Sequence, residues 1–579
     1  MPTTTPHRLR RWTAAIAVIV GVVVGVYWRS FGVPFLFDDH SAILDNPAVR
    51  QLWPLLTPAA DLPVSGRPLV SLSLALNYAL SGYEVFGYHV VNLGCHAASA
   101  CLVFAIAART MCAAGRQPAA SQTTALVIAL LWATHPLISE AVVYVVQRTE
   151  LMVSFFMLAA LYAALRAFGA GASRWWTSTA VVAGMAATQC KEIAVATPIL
   201  ILAYDRAFAA GSFAGAWRHH RLLHVGMFLT WLPLAAGILA GPRGDSVGFD
   251  HGVTATEYLQ TQAGVVMWYL KSCVAPTDLA ISHFWPITTH LADAALPGLA
   301  LMAATAAAAM AWWRWPKIGF LALWFFAILA PTSSVVPIPA EVAAERRMYL
   351  PLLAIVALAV LAIEHAGQRL IQAAGQGRAW LRLGGAIAAV TTIALFAQMT
   401  RDRVEIYGDE ITVWRDAADK QQDNAVAHTN LGLAYERSGD LLAAIAHYHR
   451  SIAIREDHAV AHLNLGGALA RHGDLDAAAR SLNRARELDP HHPAPWINLG
   501  NIAIMRGAWV EATRLYQRAL ELAPTRVKAH VNLALAFEQL RRFDEARRHL
   551  QRAVALDPTH TQARTAYDSF LARRHGRPQ

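Results

Sequence analysis

Eleven apolar stretches, each close to membrane-spanning length, crowd into the first 400 residues of this 579-residue chain. In hydrocarbon every backbone N–H and C=O must find its partner inside the segment, so such stretches can only be helices. They lie near 11–28, 86–107, 124–142, 149–166, 176–190, 192–205, 223–240, 296–313, 318–335, 348–364 and 383–399. Several fall short of the roughly 20 residues that a perpendicular helix needs, so their ends are soft. From residue 401 the character changes to polar, charged and alanine-rich. The chain as a whole is 15% charged, against roughly 25% for soluble domains. The pattern predicts an all-α protein: a polytopic membrane domain over 1–400, a linker helix over 401–423 and a soluble domain over 424–575. Arg8, Arg10 and Arg11 form a basic flank, and no small-residue cleavage pattern follows, which predicts a retained anchor.

The net charge of +10 is not a nucleic-acid footprint. Much of the excess arginine sits in short loops between spans, as the positive-inside rule requires. That rule also decides the segment 258–275, which carries Gln260, Gln262, Lys271 and Cys273. If it crossed the membrane, the basic loops at 314–317 and 369–382 would flip outward. It is therefore expected to be re-entrant or interfacial, shielded by protein. With eleven crossings, the first loop (29–85) and the C-terminal domain both face away from the cytoplasm. The five cysteines, Cys95, Cys101, Cys112, Cys190 and Cys273, include no CxxC pair, and no disulfide framework or zinc site is indicated.

The polar half is a repeat. Asn430-Leu431-Gly432, Asn464-Leu465-Gly466 and Asn498-Leu499-Gly500 recur every 34 residues, and Asn532-Leu533-Ala534 continues the series. Pro490, Pro524 and Pro558 keep the same step, and Ala434, Ala468, Ala503 and Ala536 supply small packing contacts. A 34-residue period with this pattern is the tetratricopeptide (TPR) signature. Gly439-Asp440, Gly473-Asp474 and Gly507-Ala508 mark turns between paired helices. Units near 424–457, 458–491, 492–525 and 526–559, plus a capping helix, should stack into an α-solenoid with a concave groove suited to an extended peptide or protein.

The membrane half places ionisable groups where they are costly. Asp38 and Asp39 follow the first span directly. On the expected topology His135, Glu140, Arg148, Glu150, Lys191, Glu192, Asp250, His251, Glu345, Arg346, Arg347 and Tyr349 gather at the same outer face. Basic residues at outer ends go against the orientation rule. Together they describe a cavity with cations for an anion and carboxylates for acid–base work; a lipid-linked phosphate is a natural anion at that depth, and arginine suits it.

Phe37-Asp38-Asp39-His40-Ser41-Ala42-Ile43, Gly66-Arg67-Pro68-Leu69, the His135-Pro136 to Glu140 element, Arg148-Thr149-Glu150-Leu151, Lys191-Glu192 and Glu345-Arg346-Arg347-Met348-Tyr349-Leu350-Pro351 resemble the transmembrane-and-TPR O-mannosyltransferases of the GT-C glycosyltransferase superfamily. The resemblance implies a GT-C-like helix bundle ahead of the TPR array. It implies a polyprenyl-phosphate sugar as donor, mannose or another hexose, and a protein hydroxyl as acceptor recruited by the groove. The acidic first-loop motif falls on Asp38 and Asp39, one of them the catalytic base. Arg148, Lys191, Arg346 and Arg347 are expected to bind the donor phosphate, with His135, Glu140, Glu150, Glu192, Glu345 and Tyr349 in support. No cofactor is required for such a displacement, although the acidic pair with Glu140 could hold Mg²⁺ or Mn²⁺. Composition suggests a bacterial inner-membrane protein with a periplasmic TPR domain; a eukaryotic member would place it in the lumen of the endoplasmic reticulum. Two rivals stand beside this reading. A lipid-linked glycan ligase or transporter would use a related lipid, but a transporter should carry its ionisable groups near the midplane. A non-catalytic membrane-anchored TPR scaffold would leave the outer charges unexplained.

Overall fold

The computed structural model describes residues 6–50, 52, 64, 66–169, 171–239, 253–333, 338, 341–373 and 378–575. Among these, all regular structure is helical; an isolated bridge joins His283 to Ala343. The chain divides into two compact units, 1–413 and 414–579.

In the first unit six helices are long and apolar enough to cross a membrane: Arg10–Gly32, Val85–Ala113, Val145–Ala167, Leu291–Arg314, Pro351–Ala373 and Ala379–Ile406. A bent pair, Pro118–Ala133 and Pro136–Val143 at 55°, meets the same length and apolarity only when its two helices are taken together as one broken span. The bend follows from sequence. Pro136 has no N–H to continue a helix and forces His135 into extended backbone (φ −72°, ψ 127°). The other four expected stretches hold shorter helices: Arg174–Thr188, Ala196–Tyr204, the broken pair Phe213–Leu229 and Trp231–Leu239, and Pro316–Leu329. The segment near 258–275 is a helix, Ala255–Ser272, opened by a reciprocal Thr254–Glu257 capping box. The long first loop is not irregular throughout: it holds the helix Pro68–Ser81, started by a proline at its first turn.

The second unit is a ladder of helix pairs: Ala425–Ser438 with Leu441–Ile454, Ala459–His472 with Leu475–Leu488, Pro493–Met505 with Trp509–Leu522, and Val527–Gln539 with Phe543–Leu556, closed by Thr561–His575. The repeated glycine has a steric cause. A Cβ on Gly432, Gly466 or Gly500 would lie 2.6, 2.5 or 2.9 Å from Tyr448, Leu482 or Tyr516, one residue on the second helix of each pair. Those partners also recur every 34 residues, and Leu550 continues them opposite Ala534. Ala434, Ala468 and Ala536 keep the 34-residue step; the third unit has Ile502 at that step, with the expected Ala503 buried beside it.

Candidate functional site

Asp38 and Asp39 are adjacent but serve opposite ends. Asp39 is 1% exposed. Its Oδ2 accepts from the Leu36 amide at 3.0 Å and its Oδ1 from the Val146 amide at 2.7 Å. One carboxylate thus ties the first loop to the segment that opens the helix Arg148–Ala167. Burial pushes Asp39 up to about 8, against backbone N–H groups that pull it down and with Asp38 adding to the push.

Asp38 is exposed. Its backbone N–H donates to the Tyr144 hydroxyl at 2.7 Å, and Phe37 packs edge-on against the Tyr144 ring. Phe37 has φ +44°, a left-handed conformation that a bulky residue adopts only where its surroundings force it. This strain turns Asp38 outward while Asp39 stays anchored. The Asp38 carboxyl is raised above the ordinary carboxylate range by the surrounding protein; Arg346 opposes the rise and Glu341 adds to it.

Arg346 connects Asp38 to the rest of the cluster. Its Nη1 donates to Glu140 Oε1 at 2.7 Å, its backbone N–H to Glu140 Oε2 at 3.2 Å, and its Nη2 to Glu341. Lys191 pairs with Glu150, and Arg67 lies 3.8 Å from Glu192. Arg67 and Arg346 both bear on Lys191: burial holds that ammonium below its ordinary range, Glu150 pulls it back up and the two arginines push further down. Segments around 38, 67, 140–150, 191–192 and 341–346 therefore meet. Asp250 and His251 lie outside the described residues.

Other expected site residues are committed to the scaffold. Arg148 is fully buried, and its guanidinium donates to Asn92 Oδ1 (2.8 Å), Asn77 Oδ1 (2.6 Å), the Tyr88 carbonyl (2.9 Å) and Ser73 Oγ (3.4 Å). Those bonds make it a clamp on the helices Pro68–Ser81 and Val85–Ala113. Arg347 donates to the carbonyls of Val342 and Glu341 and holds its own turn. Glu345 is 0% exposed; it accepts from the Ala280 amide (2.6 Å), His283 Nε2 (2.9 Å) and Arg403 Nη2 (2.8 Å). Tyr349 bonds His96 Nδ1 at 2.7 Å beside Trp132. His135 accepts from the Leu137 amide at Nδ1, so its Nε2–H donates to the Cys273 carbonyl at 3.1 Å.

Sequence reading missed Tyr144, Glu341 and Arg403. Tyr144 and Arg403 gave no motif signal; Glu341, just before the Glu-Arg-Arg run, could have been suspected. The carboxylates of Asp39 and Glu140, weighed as metal ligands, are taken up by backbone amides and by Arg346. The large cavity of the membrane unit, about 900 Å³, is elsewhere, lined by Arg109, Cys112, Tyr204 and His220 among others.

Tetratricopeptide repeat family models match residues 423–491, 463–527 and 503–569. The human protein O-mannosyl-transferase TMTC3 is 34% identical over 209 residues, 34% of this chain and 22% of that protein. Human TMTC4 is 30% identical over 198 residues (30% and 27%), and Drosophila melanogaster Tmtc3 is 36% identical over 178 residues (27% and 19%). The matched stretches thus span about a quarter or less of these relatives. Among solved structures, MamA is 22% identical (26% of this chain, 86% of that one, TM-score 0.24), and YrrB, a TPR protein with an unusual peptide-binding site, is 18% identical (31% and 89%, TM-score 0.25). The chain is a multi-helix, apolar, membrane-type unit followed by tetratricopeptide repeats, and over a third of its length it is similar to curated transmembrane-and-TPR protein O-mannosyl-transferases.

Proposed function

We propose that this protein is a membrane glycosyltransferase that moves mannose or another hexose from a polyprenyl-phosphate donor to a hydroxyl of a protein acceptor. The reaction takes place on the non-cytoplasmic face, and the repeat groove recruits the acceptor. The observation that carries this reading is the divided acidic pair: Asp39 anchored on backbone amides, Asp38 turned outward beside Arg346. Asp38 accepts the proton from the acceptor hydroxyl as the oxygen attacks the anomeric carbon. The bond from that carbon to phosphate breaks, and its electron pair leaves on the lipid phosphate, with inversion. A base with a raised pKa suits this step, because its affinity for the proton is higher. Arg346 and Lys191 supply positive charge to the leaving phosphate. Asp39 is a positioning residue.

The test is transfer of labelled sugar from polyprenyl phosphate to protein in native membranes. Asp38→Asn should lower the rate by about 10²–10⁴-fold at unchanged expression, the usual share of a general base. Ionised Asp38 is the active form, so the rate should rise with pH and level off above the raised pKa. The midpoint should lie above the ordinary aspartate value of about 4. Unchanged transfer in Asp38→Asn would sink the assignment and turn attention to a scaffold role for the repeats.

A further inference from the structure

A second cluster lies apart from Asp38, beside the 900 Å³ cavity. The helix Ala196–Tyr204 runs into a π-turn at Asp205–Ala209. The helix Phe213–Leu229 carries His220 and His224 four residues apart, on one face. Asp205 Oδ2 is 2.8 Å from His220 Nδ1 and 2.8 Å from His224 Nε2. All three ligand atoms lie within 4.8 Å of one another, and this is the only such group of histidine, cysteine or carboxylate residues among the described residues. Asp205 and His224 side chains are 0% exposed and His220 is 20% exposed.

The bland reading is a hydrogen-bonded His–Asp–His tie between two helices. It leaves a debt: among the described residues, Asp205 Oδ1 and His224 Nδ1 are buried without a partner. Buried polar atoms are rarely left so, because each costs its full desolvation. The backbone is also irregular at the right places. Asp205 opens a π-turn, a form frequent at functional sites, and His220 departs from helical geometry (φ −126°, ψ 25°).

We propose that Asp205, His220 and His224 form a binding site for a divalent transition metal of the zinc class. Two imidazoles and one carboxylate suit zinc better than Mg²⁺ or Ca²⁺, which favour all-oxygen shells. In the metal-bound form His220 binds through Nδ1 and moves its proton to Nε2; His224 binds through Nε2 and moves its proton to Nδ1. Asp205 can then use both oxygens, which gives Oδ1 its missing partner. Tetrahedral zinc places ligand atoms about 3.4 Å apart, so the three groups need to part by roughly half an ångström. The non-helical turn at His220 gives that freedom, and the cavity it lines gives the ion a way in. Three protein ligands leave a fourth position for water. Among the described residues no lysine or arginine side chain is hydrogen-bonded to Asp205; the adjacent Arg206 guanidinium stacks on Phe213, Trp312 and Trp313.

The test uses the untagged full chain in detergent, stripped of metal and then dialysed against excess zinc with a weak chelator. About one zinc per chain should remain, and His224→Gln and Asp205→Asn should lose it. His447→Gln, in one histidine pair of the repeat unit, and His549→Gln, in the other, should each keep it and thereby exclude uptake by those pairs. Since a buried variant can misfold, His220→Ala, the most exposed ligand, and cobalt loading of the unaltered chain give independent readouts. Bound Co²⁺ should show visible d–d absorption that added zinc abolishes. A wild-type chain that retains no zinc and shows no cobalt band overturns the proposal. So does zinc uptake that survives in all three ligand variants or disappears with His447→Gln or His549→Gln.

Discussion

The repeat array and the polar cluster of the membrane unit solve the same problem, satisfying close packing, by opposite means. In the array the decisive contacts are local and repeated. Gly432, Gly466 and Gly500 each receive a side chain 16 positions later, in a register copied every 34 residues. In the cluster the decisive contacts are singular and distant. Lys191 meets Glu150 across 41 residues, Asp38 meets Tyr144 across 106, and Arg346 meets Glu140 across 206. The first kind of order is additive and tolerates the loss of one copy. The second has no spare part: each group stands on one partner from a remote segment.

Three substitutions can sharpen or break this contrast. The largest effect is expected in the membrane unit. Arg148→Met leaves Asn77, Asn92 and the Tyr88 carbonyl without their donor, and should cost about 3 kcal/mol or more, seen as a lower thermal midpoint in detergent. If the midpoint holds, the polar network is not the scaffold and the contrast fails. A middle effect is expected at Gly466→Val, which drives a branched side chain onto Leu482 and the Ala478 carbonyl; about 1–3 kcal/mol should be lost, confined to the repeat unit in hydrogen exchange. The smallest effect has the opposite sign. The turn glycines Gly439, Gly473 and Gly507 have φ of +92°, +99° and +72°, and the fourth unit puts Arg541 there at +60°. Arg541→Gly removes a left-handed penalty and should stabilise the unit by about 1 kcal/mol. A loss of stability on chemical denaturation would show that the arginine side chain matters more than its backbone.

The same contrast explains what could be read in advance. The repeat half was legible because its order is periodic: the 34-residue step named the helix pairs and the turns, while the close approach at each glycine was visible only in the fold. The apolar stretches were legible as helices, though length alone did not reveal that the third bends at His135-Pro136. The candidate site was legible as a set of residue types but not as a set of partners. Arg148 and Arg346 look alike in sequence, each beside a carboxylate at the outer end of a span. Only the fold shows that one is spent on neutral oxygens and the other is shared between Glu140 and Glu341. The difference between Asp38 and Asp39 was equally invisible, since it rests on Phe37 adopting a positive φ and on Tyr144 far along the chain. The Asp205 triad escaped because Asp205 and His224 fell at the ends of the expected spans 192–205 and 223–240, with His220 in the short connection between them.

The sharing of Arg346 has a consequence for affinity. Glu140, its buried partner, holds one nitrogen and the backbone amide; Glu341, the other, has a side chain 35% exposed. An incoming phosphate that seeks this guanidinium competes with the carboxylate that water can most easily receive, so the exchange trades one anion for another. Occupancy is then a contest between ligand and side chain. On the proposed function, its balance point is set by Glu341, which would act as a resident competitor for the guanidinium.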